Sequence, residues 1–345
     1  MLLVFSGLAL AGSVRVVVYP SFAEVSQEVE VKNGVLVWSP GEDVLAGLVD
    51  GGVRLVGIPE VRRVWRGGSV VFHVANDGTA RLSYLTRSLG GSLSYHLDLD
   101  AGELVAWVRV QNSLTRPLVA DEFWYVAGSV PLGEGGVRPA SAALWQKGQR
   151  AVEALAPEAE FVSATAGVFR YRYPERAELE PGITELAFKR GLVRPRLTWS
   201  YRGAFVRDRR LFFTRGYLFK APWPVAAGSI SLWSEGTFVG RVPVADTDEG
   251  DEVRLSLGPD PRGFAERRVE VLEENRDLAR YRVSTAIKNR HREPVRVEIQ
   301  ETFSGREVVL KITGAERIPQ GYRLKVDLAP GGEWTYVYEV TIRRR

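Results

Sequence analysis

The feature that most constrains this chain is a two-residue alternation that recurs through its C-terminal part. Val283, Thr285 and Ile287 alternate with Arg282, Ser284 and Lys288; Val295, Val297 and Ile299 alternate with Arg296, Glu298 and Gln300. Tyr322, Leu324, Val326 and Leu328 alternate with Arg323, Lys325 and Asp327, and Trp334, Tyr336, Tyr338, Val340 and Ile342 alternate with Thr335, Glu339, Thr341 and Arg343. A period of two puts apolar side chains on one face of a strand and charges on the other, the signature of antiparallel sheets with one face in a core. The stretch 225–260, VAAGSISLWSEGTFVGRVPVADTDEGDEVRLSLGPD, reads as strand, turn at Ser234-Glu235-Gly236, strand, acidic loop, strand, ending at Gly258-Pro259-Asp260-Pro261.

The earlier chain carries the same punctuation. Strands are predicted at Val14–Tyr19, Val25–Val31, Gly34–Trp38, Val53–Val56 and Ser69–Val74, separated by Asn33-Gly34, Asp50-Gly51-Gly52, Gly67-Gly68 and Asn76-Asp77-Gly78. Tyr95–Leu99 and Leu104–Val110 flank the hairpin signal Asp100-Ala101-Gly102, and further strands are predicted at Phe123–Ala127, Phe169–Tyr173 and Ile183–Phe188. Ser141–Leu155, between Pro139 and Pro157, is the best helix candidate. The expected fold is all-β: a small N-terminal β module (12–80), then two antiparallel sandwich blocks of immunoglobulin or fibronectin III type (81–201 and 202–345). Residues 1–11 are apolar and end in Ala9-Leu10-Ala11, a small-x-small cleavage pattern that predicts a signal peptide; a positive n-region is missing, so either the start is truncated or the segment is not a signal peptide, the alternative being a buried first strand.

A length of 345 residues suits two or three domains. With 46 basic against 42 acidic residues, the charges nearly balance, which argues against a dedicated nucleic-acid surface. The chain contains no cysteine, so disulfides, thiolate nucleophiles and cysteine metal sites are excluded. Later stretches fall short of the about 18 apolar residues that span a bilayer. Arginine outnumbers lysine, a bias that points to a G+C-rich, thermophilic source.

Several segments combine into a familiar pattern. Leu82–Leu85 is followed by GSLSYHLDLD (91–100), Trp107–Asn112, AAGSISLWSEGTFVG (226–240), GDEVRLSLG (250–258), Tyr281–Asn289, Val295–Phe303, and Leu328-Ala-Pro-Gly-Gly332 before Trp334–Tyr338. From Arg81 to Ile342 the chain resembles the bacterial DUF4139 family, a domain of unknown function found at the C-terminus of proteins named as mucoidy-inhibitor-like. Val14–Val56, with Val18-Tyr19 and Phe22–Val25, resembles the short β module that precedes that domain. The coiled coil of longer members is absent, and with it their evident means of oligomerising. The resemblance implies a fold, but supplies no catalytic residues and no cofactor.

Chemistry-bearing clusters are few. His73, His96 and His291 lack the spacing of a zinc site, and the chain has no Gly-x-Ser-x-Gly elbow. Asp246, Asp248 and Asp251 lie in a loop with five carboxylates in seven residues, a weak calcium candidate whose alternative is a solvated hairpin loop. Among nine tryptophans, Trp223 (between Pro222 and Pro224) and Trp233 (beside a turn) are the candidates for display to a sugar or protein. Phe213–Pro224, with Tyr217 and Phe219, is expected to form an open sheet edge guarded by Arg215, Lys220 and prolines; the alternative is a strand paired on both sides. The functional expectation is a non-catalytic envelope or surface protein, periplasmic or at the cell surface, binding another protein or a glycan without a cofactor. The alternative is a hydrolase acting on cell-wall or extracellular polysaccharide.

Overall fold

The computed structural model describes residues 5–6, 12–128, 130, 132, 160–165, 168–207 and 210–344. The predicted helix at 141–155 lies outside them, as does the predicted signal segment apart from Phe5 and Ser6. The protein is all-β. In chain order the strands are β1 (Phe5–Ser6), β2 (Val14–Val18), β3 (Ala23–Val31), β4 (Val35–Ser39), β5 (Leu48–Val56), β6 (Glu60–Arg66), β7 (Ser69–Val74), β8 (Gly78–Thr86), β9 (Leu89–Asp98) and β10 (Glu103–Asn112). They continue with β11 (Leu118–Ala120), β12 (Glu122–Ala127), β13 (Glu160–Thr165), β14 (Val168–Tyr173), β15 (Ala177–Leu179), β16 (Gly182–Leu192), β17 (Arg196–Ala204), β18 (Arg210–Lys220), β19 (Gly228–Ser234) and β20 (Thr237–Val244). The last are β21 (Glu252–Glu274), β22 (Leu278–Lys288), β23 (Val295–Thr302), β24 (Glu307–Ile312), β25 (Glu316–Ile318), β26 (Gly321–Leu328) and β27 (Glu333–Arg343). A short helix, α1 (Glu42–Gly47), interrupts them. No helix among the described residues is long and apolar enough to cross a membrane.

The chain divides into two compact units. The first comprises residues 1–192 together with 223–235 and 245–248. Within it β13-β14-β12-β2-β3-β8-β5 form a seven-stranded sheet and β1-β4-β7-β6 a four-stranded one, while β16-β10-β9-β19 lie side by side in a third. One apolar core draws on all three: Val16 and Leu82, Phe72 and Trp38, and Val108 and Val110 belong to the same buried cluster. The boundary predicted at 80/81 falls inside β8, which pairs with β3 and β5 along its length. The Asn33-Gly34 and Gly67-Gly68 turns form as predicted, with all four residues at positive φ. Asp77 secures the first by accepting the N–H groups of Asn33 and Gly34 at 2.9 and 2.7 Å. Asp50-Gly51-Gly52 does not separate strands; it is an irregularity inside β5, where the register with β8 shifts.

The second unit comprises residues 193–222, 236–244 and 249–345. Its nine-stranded sheet runs β24-β27-β22-β21-β18-β17-β23-β26-β25. The two edge strands follow one another in sequence, and Arg317 of β25 donates to the Leu310 carbonyl of β24 at 2.6 Å, so the sheet curls toward closure. Its interior holds a fully buried ion pair: Arg267 grips Glu301 through two N–H···O bonds of 2.6 and 3.1 Å. The Tyr322 and Tyr338 hydroxyls each donate to Glu301 Oε2 at 2.8 Å, and Arg267 also donates to the Val206 carbonyl at 3.2 Å. Burying two charges is tolerable only when the remaining donors and acceptors are satisfied in this way.

Two expectations are corrected here. The strand predicted to stop at Gly258–Pro261 continues as β21 to Glu274. Pro259 pairs opposite Thr214, residues 260–263 bulge out, and pairing resumes at Phe264 opposite Phe212, so the prolines mark a bulge within one long strand. Pairing is also not purely antiparallel: β2 with β12, β9 with β19, and β17 with β23 are parallel, joining strands far apart in sequence.

Candidate functional site

The predicted open edge is closed. β18 pairs with β17 on one side and with β21 on the other, so Phe213–Lys220 belongs to the interior of the sheet. Tyr217 and Phe219 are buried, because four successive residues from Gly216 to Phe219 are covered on both faces. Trp223 is 3% exposed and lies under the Lys189 ammonium, 5.7 Å from its ring centre. Trp223 is therefore enclosed rather than displayed, despite the prolines on either side of it. Trp233 is half-buried, with its backbone carbonyl accepting the Leu99 N–H at 2.8 Å. Asp246 accepts the Ala227 N–H at 2.6 Å as a local cap. Among the described residues, Asp246, Asp248 and Asp251 included, no group of three or more histidines and carboxylates could hold a metal ion.

The bulge in β21 creates a constellation that sequence reading did not assemble. Asp260, buried within the bulge, accepts three N–H groups: Arg262 backbone at 2.9 Å, Trp199 Nε1 at 2.8 Å and His291 Nε2 at 2.9 Å. Burial pushes the Asp260 carboxyl up, but these three donors outweigh it and hold the pKa below the usual carboxylate range. An ionised carboxylate only accepts, so the Nε2–H of His291 is the donor to Asp260. Trp199 stacks flat on Phe213 and meets the His291 ring edge-on. Gly263 is required beside it: a Cβ there would lie 2.9 Å from two atoms of the Trp199 ring. On the other flank, Asn289 donates to three carbonyls, Glu293, Leu328 and Ala329, and accepts the His291 N–H at 2.9 Å. His291 is therefore fixed from both sides while its side chain remains 13% exposed.

Beside this node the outer face of the sheet carries aromatic rings and guanidinium groups. Phe212 and Phe264 are directly opposed on β18 and β21, their centroids 6.4 Å apart. Phe264 is flanked by Arg290 at 4.0 Å and Arg210 at 4.8 Å, while Phe212 is 60% exposed. Arg262 in the β21 bulge and Arg292 in the loop after β22 are exposed. Such a surface can stack on a flat apolar face and pair with an acidic group on the same ligand. The adjacent pair Phe212-Phe213 places its two rings on opposite faces of β18, Phe213 buried and Phe212 exposed.

No family model matches the chain, and no curated protein matches it.

Proposed function

We propose that this is a non-catalytic protein of the cell envelope or surface, exported and related to the DUF4139 domains it resembles, that binds another envelope component, protein or glycan. The observation that carries the reading is the Phe212–Phe264 pair between Arg210 and Arg290. Phe212 is 60% exposed beside the half-buried Phe264, and the flanking arginines lend the pair specificity for partners that combine a flat face with an anion. Binding to fractionated envelope glycans and envelope proteins tests it. Phe212→Ser and Arg290→Ala should each weaken retention by about tenfold without lowering the melting temperature. Unchanged retention of both variants on every fraction would remove the patch as the binding surface.

The hydrolase reading has one observation in its favour, the Asp260–His291 pair, in which a carboxylate holds the imidazole by Nε2. That geometry orients an imidazole as a base. Among the described residues no hydroxyl donates to it, so it would have to act on water directly. Release of new reducing ends from envelope polysaccharide, abolished in His291→Ala, would establish that reading over the binding one.

A further inference from the structure

The edge strand β6 lies in the first unit and shares nothing with the aromatic patch just described. It pairs with β7 alone among the described residues. Its turn fixes which backbone groups are free. Arg66 and Ser69 flank Gly67-Gly68, both at positive φ, so they close a two-residue hairpin as a hydrogen-bonded pair. Alternation then makes Val64–Val71 and Arg62–His73 the next hydrogen-bonded pairs. The N–H and C=O groups of Arg63 and Trp65 therefore point away from β7, toward the open edge.

The side chains at this edge fall into two sets. Arg62, Val64 and Arg66 share one face, and Arg63 and Trp65 share the other. Arg63 is engaged inward: it makes paired bonds of 2.9 and 2.7 Å to Glu60, a bond to the Val53 carbonyl, and a stack over Phe72. Arg66 is exposed with no side-chain partner among the described residues, and Arg62 is exposed and touches only His73 Nε2, at 3.1 Å. Trp65 is 50% exposed and Val61, at the bulge between the Glu60–Val74 and Arg62–His73 pairs, 72%. An edge defended only against self-association needs charge or a bulge. This one additionally displays a tryptophan and a valine. Its charge also selects the occupant: a second copy docked edge to edge would set arginines against arginines, whereas an acidic strand would neutralise them.

We propose that β6 receives an extended acidic segment of a partner protein as an added antiparallel strand. Register dictates the segment's pattern. The residues opposite Arg66 and Arg62 are acidic, the residue opposite Val64 is small and apolar, and the residue opposite Trp65 is apolar on the other face. Backbone bonds at Arg63 and Trp65 supply affinity, and the two acidic positions, four residues apart, supply selectivity.

The experiment uses the full chain and a synthetic peptide reading Thr-Glu-Val-Val-Thr-Glu-Thr, with three controls: the same peptide with lysine for glutamate, the peptide N-methylated at alternate residues, and anionic phospholipid vesicles. The expected result is saturable binding of the acidic peptide with new hydrogen-exchange protection at the Arg63 and Trp65 amides. N-methylation or Arg62→Glu with Arg66→Glu should each weaken binding by at least about tenfold, and the double variant should instead take the lysine peptide. Both arginines are exposed, so the variant's circular dichroism and melting should match the parent. The proposal is overturned if the N-methylated peptide binds equally well, if protection appears elsewhere, if no peptide binds, or if vesicles bind and the peptide does not.

Discussion

At the residue scale, Asp260 concentrates the most consequence in one side chain. Its carboxylate satisfies Trp199, His291 and the Arg262 N–H together, at a bulge where the β18 ladder is interrupted. Asp260→Ala orphans two buried or half-buried ring donors, and it should destabilise the protein by about 2–4 kcal/mol. The pH dependence has a definite sign. The folded-state pKa lies below the unfolded value of about 4, so the stabilisation is complete above about pH 4 and is lost as the pH falls through the folded pKa. Denaturant unfolding of parent and variant at pH 5 and pH 3 should show a gap that narrows at the lower pH. An identical gap at both would mean that the ionised carboxylate is not what holds the bulge. Nothing in the sequence advertised this node. Asp260 reads as part of a Pro-Asp-Pro strand terminator and His291 as one residue of a charged turn; only the bulge, which keeps β21 going past both prolines, brings them together.

At the element scale, strands with one buried face were legible and strands that break that condition were not. β22, β23 and β27 alternate in sequence because one face of each is in a core, and their predicted and observed spans agree closely. β6 was missed because Glu-Val-Arg-Arg-Val-Trp-Arg shows no alternation: an edge strand with arginine on both faces has no apolar side to reveal. β18 was misplaced for the opposite reason. Its run of adjacent apolar and aromatic residues reflects cover on both faces, which belongs to a central strand rather than an edge. The interior position makes a prediction at Gly216, where the register with β21 shifts. A Cβ there would sit 2.1 Å from the Leu255 carbonyl oxygen, backbone that cannot yield without parting β18 from β21. Gly216→Ala should therefore cost about 2 kcal/mol or more, whereas Gly236→Ala, with open space around its Cβ, should cost only the price of its positive φ, on the order of 1 kcal/mol. Equal melting temperatures for the two variants would contradict an interior β18.

At the scale of the whole molecule, chain order and compact units do not coincide. The chain leaves the first unit after Leu192, returns for 223–235, leaves again and returns for 245–248. Reading punctuation along the sequence divides such a chain into consecutive blocks, because turn signals report where strands end and not which strands later become neighbours. The returning segment is integral to the first unit. β19 lies parallel to β9 with Ile230 opposite Tyr95, and the Tyr95 hydroxyl donates to the Ala226 carbonyl at 2.9 Å. A fragment ending at Leu192 would lose that strand and leave β9 with an unpaired edge lined by Tyr95 and Leu97, both buried in the intact chain. Exposing two such side chains forfeits roughly 3–6 kcal/mol, a large share of the stability of an ordinary domain. The fragment should therefore aggregate, or lose its near-ultraviolet circular dichroism while keeping much of its strand signal, and a peptide spanning 223–235 should restore the missing order when added in trans. A fragment that melts cooperatively at the temperature of the intact chain, with no response to the peptide, would show that the first unit is complete without its returning strand.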